Sequence, residues 1–184
     1  LNSILELDAR LTNQMRVAEK PGALRAIAVF FAHSGDSWFW AIGLLALWLS
    51  GDSFWKEWAV VQFGSISLLA AMVLVIKFRI KRKRPEGEWG QIYRFTDPHS
   101  FPSGHAARAF LIATIAAGLG PAGLAIALWI WAPIVALARV AMGVHYLSDI
   151  VAGALFGILV ALIGLQIYQP LLTWIFNLLG FSLW

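Results

Sequence analysis

No cysteine occurs in the 184 residues, which excludes disulfides and thiolate metal sites. Charge is scarce as well. Only 13% of the chain is Asp, Glu, Lys or Arg, against about 25% in a soluble domain. The scarcity is concentrated: Trp58 to Ile76, Ala109 to Ala138 and Ile150 to Trp184 carry no charged residue. Apolar runs of about 18 or more residues indicate membrane helices. No signal peptide, long-period repeat or low-complexity segment is visible. What remains is rich in apolar residues (60%), and Trp55, Trp58, Trp174 and Trp184 stand near run ends, where an interfacial belt places them.

These features predict an all-α fold, a polytopic membrane helix bundle of about five to six transmembrane helices in one domain over residues 1–184. Residues 1–35 read as amphipathic surface helices: Ile4, Leu5, Leu7, Leu11 and Met15 alternate with charged residues too numerous for a span. Spans are expected at about 37–51, 56–78, 103–119, 122–142 and 146–168, forming a core over 37–168. Pro170 is expected to open an apolar C-terminal tail over 170–184.

Span parity then carries the functional argument. The second span ends, and the third begins, on one side of the bilayer; the fourth ends, and the fifth begins, on that same side. Three polar clusters, at 77–85, 102–105 and 139–149, should therefore share one interface.

The first cluster holds Lys77 deepest in its helix and Arg84 before Pro85. A guanidinium can fork two phosphate oxygens, whereas an ammonium acts as a point charge; the remaining cations suit a snorkelling basic collar. The second cluster is Pro102-Ser103-Gly104-His105. A helix N-terminus binds anions through unpaired N–H groups, Ser103 adds a hydroxyl, and Gly104 permits close approach. An ordinary N-cap with a solvated His is the competing reading. In the third cluster, His145 and Asp149 are four residues apart and share a helix face. A carboxylate accepting the Nδ1 hydrogen leaves Nε2 free as a nucleophile. A structural ion pair or a metal site would use the same spacing. Arg139, Lys77 and Arg84 argue against a metal, because cations repel one.

The three strings resemble the signature of the type 2 phosphatidic acid phosphatase superfamily, K-x6-RP, PSGH and SR-x5-H-x3-D. Lys77, Arg84-Pro85, Pro102-Ser103-Gly104-His105, Arg139, His145 and Asp149 stand at the matching spacings. Ala138 departs from the pattern, which has Ser there. Bacterial relatives often show six spans, and a segment preceding Leu1 would account for the difference.

The resemblance implies a metal-independent lipid phosphatase with no cofactor. In it, His145 attacks phosphorus to form a phosphohistidine, Asp149 orients His145, and His105 protonates the leaving alkoxide and then activates water. Lys77, Arg84, Ser103, Gly104 and Arg139 bind the phosphoryl oxygens. The implied partners are a lipid phosphate (phosphatidic acid, phosphatidylglycerol phosphate or undecaprenyl diphosphate) and the bilayer, with no nucleic acid. A lipid phosphotransferase using the same phosphohistidine, or a non-enzymatic lipid-binding or transport protein, are the rival readings. The resemblance also implies a bacterial or archaeal cell membrane and the extracytoplasmic face, whereas the positive-inside rule favours the cytoplasmic one. Arg108 is read as a snorkelling cation, Asp97 and His99 as solvated loop residues, and His33 as a structural cap near Gly35.

Overall fold

The computed structural model describes residues 2–17, 19–87 and 95–180. In chain order the described helices are α1 (Asn2–Gln14), α2 (Ala23–Ser34), α3 (Ser37–Ser50), α4 (Ser53–Ile80), α5 (Gly104–Leu119), α6 (Ala122–Ala141) and α7 (Leu147–Leu179). Among the described residues there is no strand, only an isolated antiparallel bridge between Lys83 and His99. Three helices, α4, α6 and α7, are long and apolar enough to cross a membrane. The segments expected as spans at 37–51 and 103–119 are apolar but shorter. At 1.5 Å per residue, the 14 residues of α3 and 16 of α5 reach about 21 and 24 Å, below the roughly 30 Å hydrocarbon core.

The chain differs from expectation at Pro170. Helix α7 runs through it to Leu179, so at least residues 170–179 continue the helix rather than starting a tail; residues 181–184 lie outside the described part. Proline removes one backbone donor, and membrane helices tolerate that loss. Pro133 sits within α6 in the same way.

Helix α5 is the hub of the bundle. Ala106, Ala107, Ala109, Leu111, Ile112 and Ala113 are all fully buried. Its small residues let α7 approach closely. Gly153 and Gly157 of α7, one turn apart, face the α5 backbone. A Cβ on Gly153 would lie 2.5 Å from the Ser103 carbonyl oxygen, and one on Gly157 would lie 2.0 Å from that of Ala107. This is small-residue packing of the kind that joins membrane helices. It brings the first turn of α7 beside the first turn of α5, and the Ser103 N–H donates to the Asp149 carbonyl at 3.0 Å. Gly157→Ala is therefore expected to force the two helices apart and destabilise the fold by about 1–3 kcal/mol. A lowered thermal midpoint in detergent, relative to Gly164→Ala in the same helix, checks it; a Cβ on Gly164 meets its nearest neighbour at 3.9 Å.

Candidate active site

Each cluster is delivered by a helix end. Helix α4 stops at Lys81, which adopts a left-handed conformation (φ 54°), with its N–H bonded to the Lys77 carbonyl. The emerging strand-like stretch is tied to the approach to α5: Ser100 N–H donates to the Arg82 carbonyl at 2.8 Å, and Ser100 Oγ to the Lys83 carbonyl at 3.2 Å. Ser103 caps α5, its Oγ accepting from Ala106 N–H at 3.4 Å. Helix α6 ends where Gly143 takes φ +66°, a left-handed turn that glycine adopts without penalty. That turn aims the Val144 carbonyl at Arg84. The three clusters foreseen from span parity thus meet at one end of the bundle.

The meeting is closed by Arg84. Its Nη1 donates to the Val144 carbonyl at 2.7 Å and lies 3.1 Å from His145 Nε2; its Nε donates to the Asp97 carbonyl at 2.7 Å. Arginine has only donors, so Nε2 of His145 is the acceptor and the ring proton resides on Nδ1. Nδ1 faces Asp149 Oδ2 at 3.5 Å, longer than an ordinary N–H···O bond. Such contacts in ligand-free sites can tighten when the reactant arrives. Asp149 is itself fully buried, with Oδ2 accepting from Tyr146 N–H at 2.8 Å and Oδ1 from Arg82 Nη1 at 2.7 Å.

Arg139 is 1% exposed, and Lys77, Arg84, Ser103 and His145 are also buried. Arg139 Nη1 reaches the Ala32 carbonyl at 3.5 Å, and its charge is felt at Lys77, His105 and His145. Ala138, where the family pattern has Ser, packs with Ala28, Ala32, Met142 and Val144. A cavity of about 450 Å³ adjoins the cluster. Lys77, Gly104 and His105 line its polar end, and Ile66, Leu69 and Val73 of α4 line its apolar wall.

Two residues read as incidental, Asp97 and Arg108, have firm positions here, as does Asp36. Asp97, expected in solvated loop, pairs through Oδ2 with Lys77 Nζ and, at 2.9 Å, with Arg84 Nη2. Arg108, expected to snorkel, is 7% exposed. It donates from Nε to the Gly35 carbonyl at 2.8 Å and from Nη1 to Ser37 Oγ at 2.6 Å. An apolar helix leaves such a guanidinium no solvent, so it turns to the Gly35 carbonyl and the Ser37 hydroxyl at the α2–α3 turn. Asp36, in that turn, was not singled out in the sequence; its Oδ1 stands 2.7 Å from His105 Nε2 and its Oδ2 3.0 Å from His33 Nδ1. No spacing rule links positions 36 and 105. His33 does bond near Gly35 as foreseen, while His99 stacks edge-on against Phe78.

Burial, helped by the charges of Arg84 and Arg139 and opposed by the Asp149 carboxylate, pushes the His145 imidazole down to about 3. Burial would raise the Asp36 carboxyl, but hydrogen bonds with His105 and His33 hold it well below the usual carboxylate range. His145 is therefore neutral at physiological pH, the form that can attack. The linkage to stability follows. Between about pH 6.5 and 3 the unfolded chain binds a proton at position 145 that the folded chain refuses, so stability falls as pH drops through that window. The Asp36 contribution is full above the unfolded carboxyl value near 3.8 and lost below it. The thermal midpoint is expected to decline from pH 6.5 to 4, and His145→Asn should flatten that decline. An equally steep slope in the variant would contradict the assignment.

A model of the PAP2 superfamily matches residues 58–172. The chain is 34% identical over 148 residues to the decaprenylphosphoryl-5-phosphoribose phosphatase of Mycolicibacterium smegmatis, an alignment covering 76% of each protein. It is 28% identical over 195 residues to a probable lipid phosphate phosphatase beta of Arabidopsis thaliana, covering 90% of this chain and 91% of that one. Two crystal structures share the architecture. One is a transmembrane PAP2 type phosphatidylglycerolphosphate phosphatase from Bacillus subtilis, with TM-score 0.73, 19% identity, and 92% and 88% of the two chains covered. The other is Aquifex aeolicus LpxE, with TM-score 0.69, 28% identity, and 88% and 94% covered.

Proposed function

This chain belongs to the PAP2 superfamily, and on that premise we propose that it is an integral membrane phosphatase that hydrolyses a lipid phosphate through a phosphohistidine on His145. The observation that supports this most directly is the contact of Arg84 Nη1 with Nε2 of His145. It puts the ring proton on Nδ1, faces the unprotonated nitrogen toward a phosphate-binding cation, and leaves a buried neutral imidazole as nucleophile.

The reaction balances as follows. Nε2 attacks phosphorus as the bond from phosphorus to the lipid oxygen breaks, and the Nδ1 proton of His145, facing Asp149, supports the positive ring that forms. The departing alkoxide takes a proton from His105. With Nε2–H of His105 donating to the Asp36 carboxylate, His105 enters the step as the imidazolium, gives up its Nδ1 proton and is left neutral. Water then attacks phosphorus, gives its proton to His105, and the P–N bond breaks to release inorganic phosphate and neutral His145. Lys77, Arg84 and Arg139, with the Ser103 hydroxyl and the Gly104 N–H, hold the phosphoryl oxygens while charge redistributes. Asp97, already seated between Lys77 and Arg84, is the anion that phosphate displaces.

The substrate class follows from the walls. The polar end of the cavity gives way to Ile66, Leu69 and Val73, and an apolar cavity of about 550 Å³ lies between α3 and α4, lined by Leu44, Trp48 and Phe63 among others. A headgroup at Lys77 can thus leave its tail among helices. The test is inorganic phosphate release from phosphatidic acid, phosphatidylglycerol phosphate, undecaprenyl diphosphate and decaprenylphosphoryl-5-phosphoribose in detergent with a chelator present. Release from at least one of them, undiminished by chelator, is expected; abolition by chelator would overturn the metal-free reaction. We place the site on the extracytoplasmic face of a bacterial or archaeal membrane. Lys83→Cys, at an exposed position beside the site, should then react with a membrane-impermeant maleimide added to intact cells.

A further inference from the structure

Helix α1 has a feature that its amphipathic role does not require. Its apolar face carries Leu5, Leu7 and Leu11, all exposed on the protein, yet among its described side chains those it buries are Asp8 and Thr12, 8% and 0% exposed. Polar groups in the middle of an apolar face are costly to bury unless partnered, and both are partnered by the first turn of α7. Thr12 Oγ1 accepts from Leu147 N–H at 3.1 Å, and Asp8 Oδ1 accepts from Ser148 N–H at 3.0 Å. Tyr146, at the helix boundary, offers only a self-made cap there. Helix α1 thus supplies from outside the acceptors that these N–H groups otherwise lack.

The same carboxylate reaches further. Asp8 Oδ2 accepts from Arg82 Nη2 at 2.8 Å, and Arg82 Nη1 donates to Asp149 Oδ1 at 2.7 Å and to Ser148 Oγ at 2.7 Å. The Arg82 guanidinium carbon lies 4.0 Å over the Tyr146 ring, which holds its plane. One guanidinium therefore bridges two carboxylates, one on the surface helix and one that faces Nδ1 of His145. Asp149 has two oxygens to place. Tyr146 N–H fixes Oδ2 and Arg82 fixes Oδ1, and this rotation leaves Oδ2 facing the imidazole. Burial would push the Asp8 carboxyl up, but its bonds with Ser148 and Arg82 outweigh burial and hold it below its ordinary value. The bridge is thus charged at neutral pH.

We propose that Arg82 and Asp8 are positioning residues for the nucleophile, and that the Asp8 carboxylate carried by α1 sets, through Arg82, the angle at which Asp149 meets His145. This rests on the phosphatase reading above, and it adds α1 to the active site as a structural arm. Asp8→Asn removes the charge but not the bulk, and Arg82→Lys keeps the charge but loses the fork. Each is expected to lower kcat on the lipid phosphate that the wild type hydrolyses by about tenfold, as small misplacements of reacting groups do. KM should stay within about twofold, and stabilisation by inorganic phosphate should be retained. The double variant should be no worse than Arg82→Lys alone, because both act through one bridge. Thr12→Val, which loosens α1 without touching the bridge, should lower the thermal midpoint yet keep kcat.

Imidazole 15N spectra of the full-length protein read the same device without turnover. The Nδ1 resonance of His145 should move in Asp8→Asn and Arg82→Lys but not in Thr12→Val. Asp8→Glu, with the carboxylate displaced by one methylene, substitutes for any variant that does not fold, with kcat again reduced at unchanged KM. Wild-type kcat and an unmoved resonance in the folded variants would overturn the proposal. So would a kcat loss matched by loss of phosphate stabilisation. Absence of turnover by the wild type would instead overturn the phosphatase reading, leaving the spectra to decide the bridge.

Discussion

His145→Ala is expected to reduce phosphate release by about four orders of magnitude or more, the scale on which removal of a nucleophile acts. No neighbouring group can replace it. In the proposed reaction Lys77 binds the phosphoryl oxygens, and Asp149 is enclosed by Arg82 and Tyr146. His105 is engaged with Asp36. The cations proposed to bind phosphate remain in the variant, so stabilisation by inorganic phosphate should persist while turnover disappears. That separation distinguishes a lost nucleophile from a lost fold. Acid quench of the wild type during turnover of a 32P-labelled substrate should leave label on the protein in an acid-labile bond, and the variant should carry none. Turnover by the variant at more than a tenth of the wild-type rate would remove His145 from the role.

The second large effect is expected at Arg84. This guanidinium simultaneously satisfies the Asp97 and Val144 carbonyls and marks the unprotonated nitrogen of His145. Arg84→Ala should cost about a hundredfold or more in kcat/KM, comparable to loss of an oxyanion donor. The His145 imidazole also loses one of the positive charges that hold it down, so the acid limb of the rate profile should move upward in pH. Arg84→Lys should recover little of the rate, since an ammonium cannot fork two oxygens while bonding two carbonyls. Near-wild-type activity in Arg84→Lys would show that point charge suffices.

The candidate site is legible where residues stand at fixed spacing. Lys77, Arg84, Ser103, Gly104, His105, Arg139, His145 and Asp149 are legible because each lies in a short string, and span parity alone predicts that the strings converge. The contacts that complete the cluster have no such string. Asp36 and His105 are 69 positions apart in sequence, and Asp8 and Ser148 are 140 apart. Asp97 looked like any loop carboxylate, and its pairing with Lys77 and Arg84 depends on how the 95–100 segment returns along the end of α4. Arg108 looked like a snorkelling cation because a helical wheel shows which face a residue occupies but not what packs against it.

Helix type and membrane embedding were set by local composition and periodicity, because low charge, apolar runs and helix-end signals act over one or two turns, while the candidate phosphate site was marked by three short strings at fixed spacing. The tertiary structure alone decided which carboxylates support the two histidines. It also placed α1 against Arg82 and the first turn of α7, and brought α5 and α7 together through Gly153 and Gly157. Those contacts join residues distant in the chain, and their energies come from burying charge against a partner that only the folded bundle supplies.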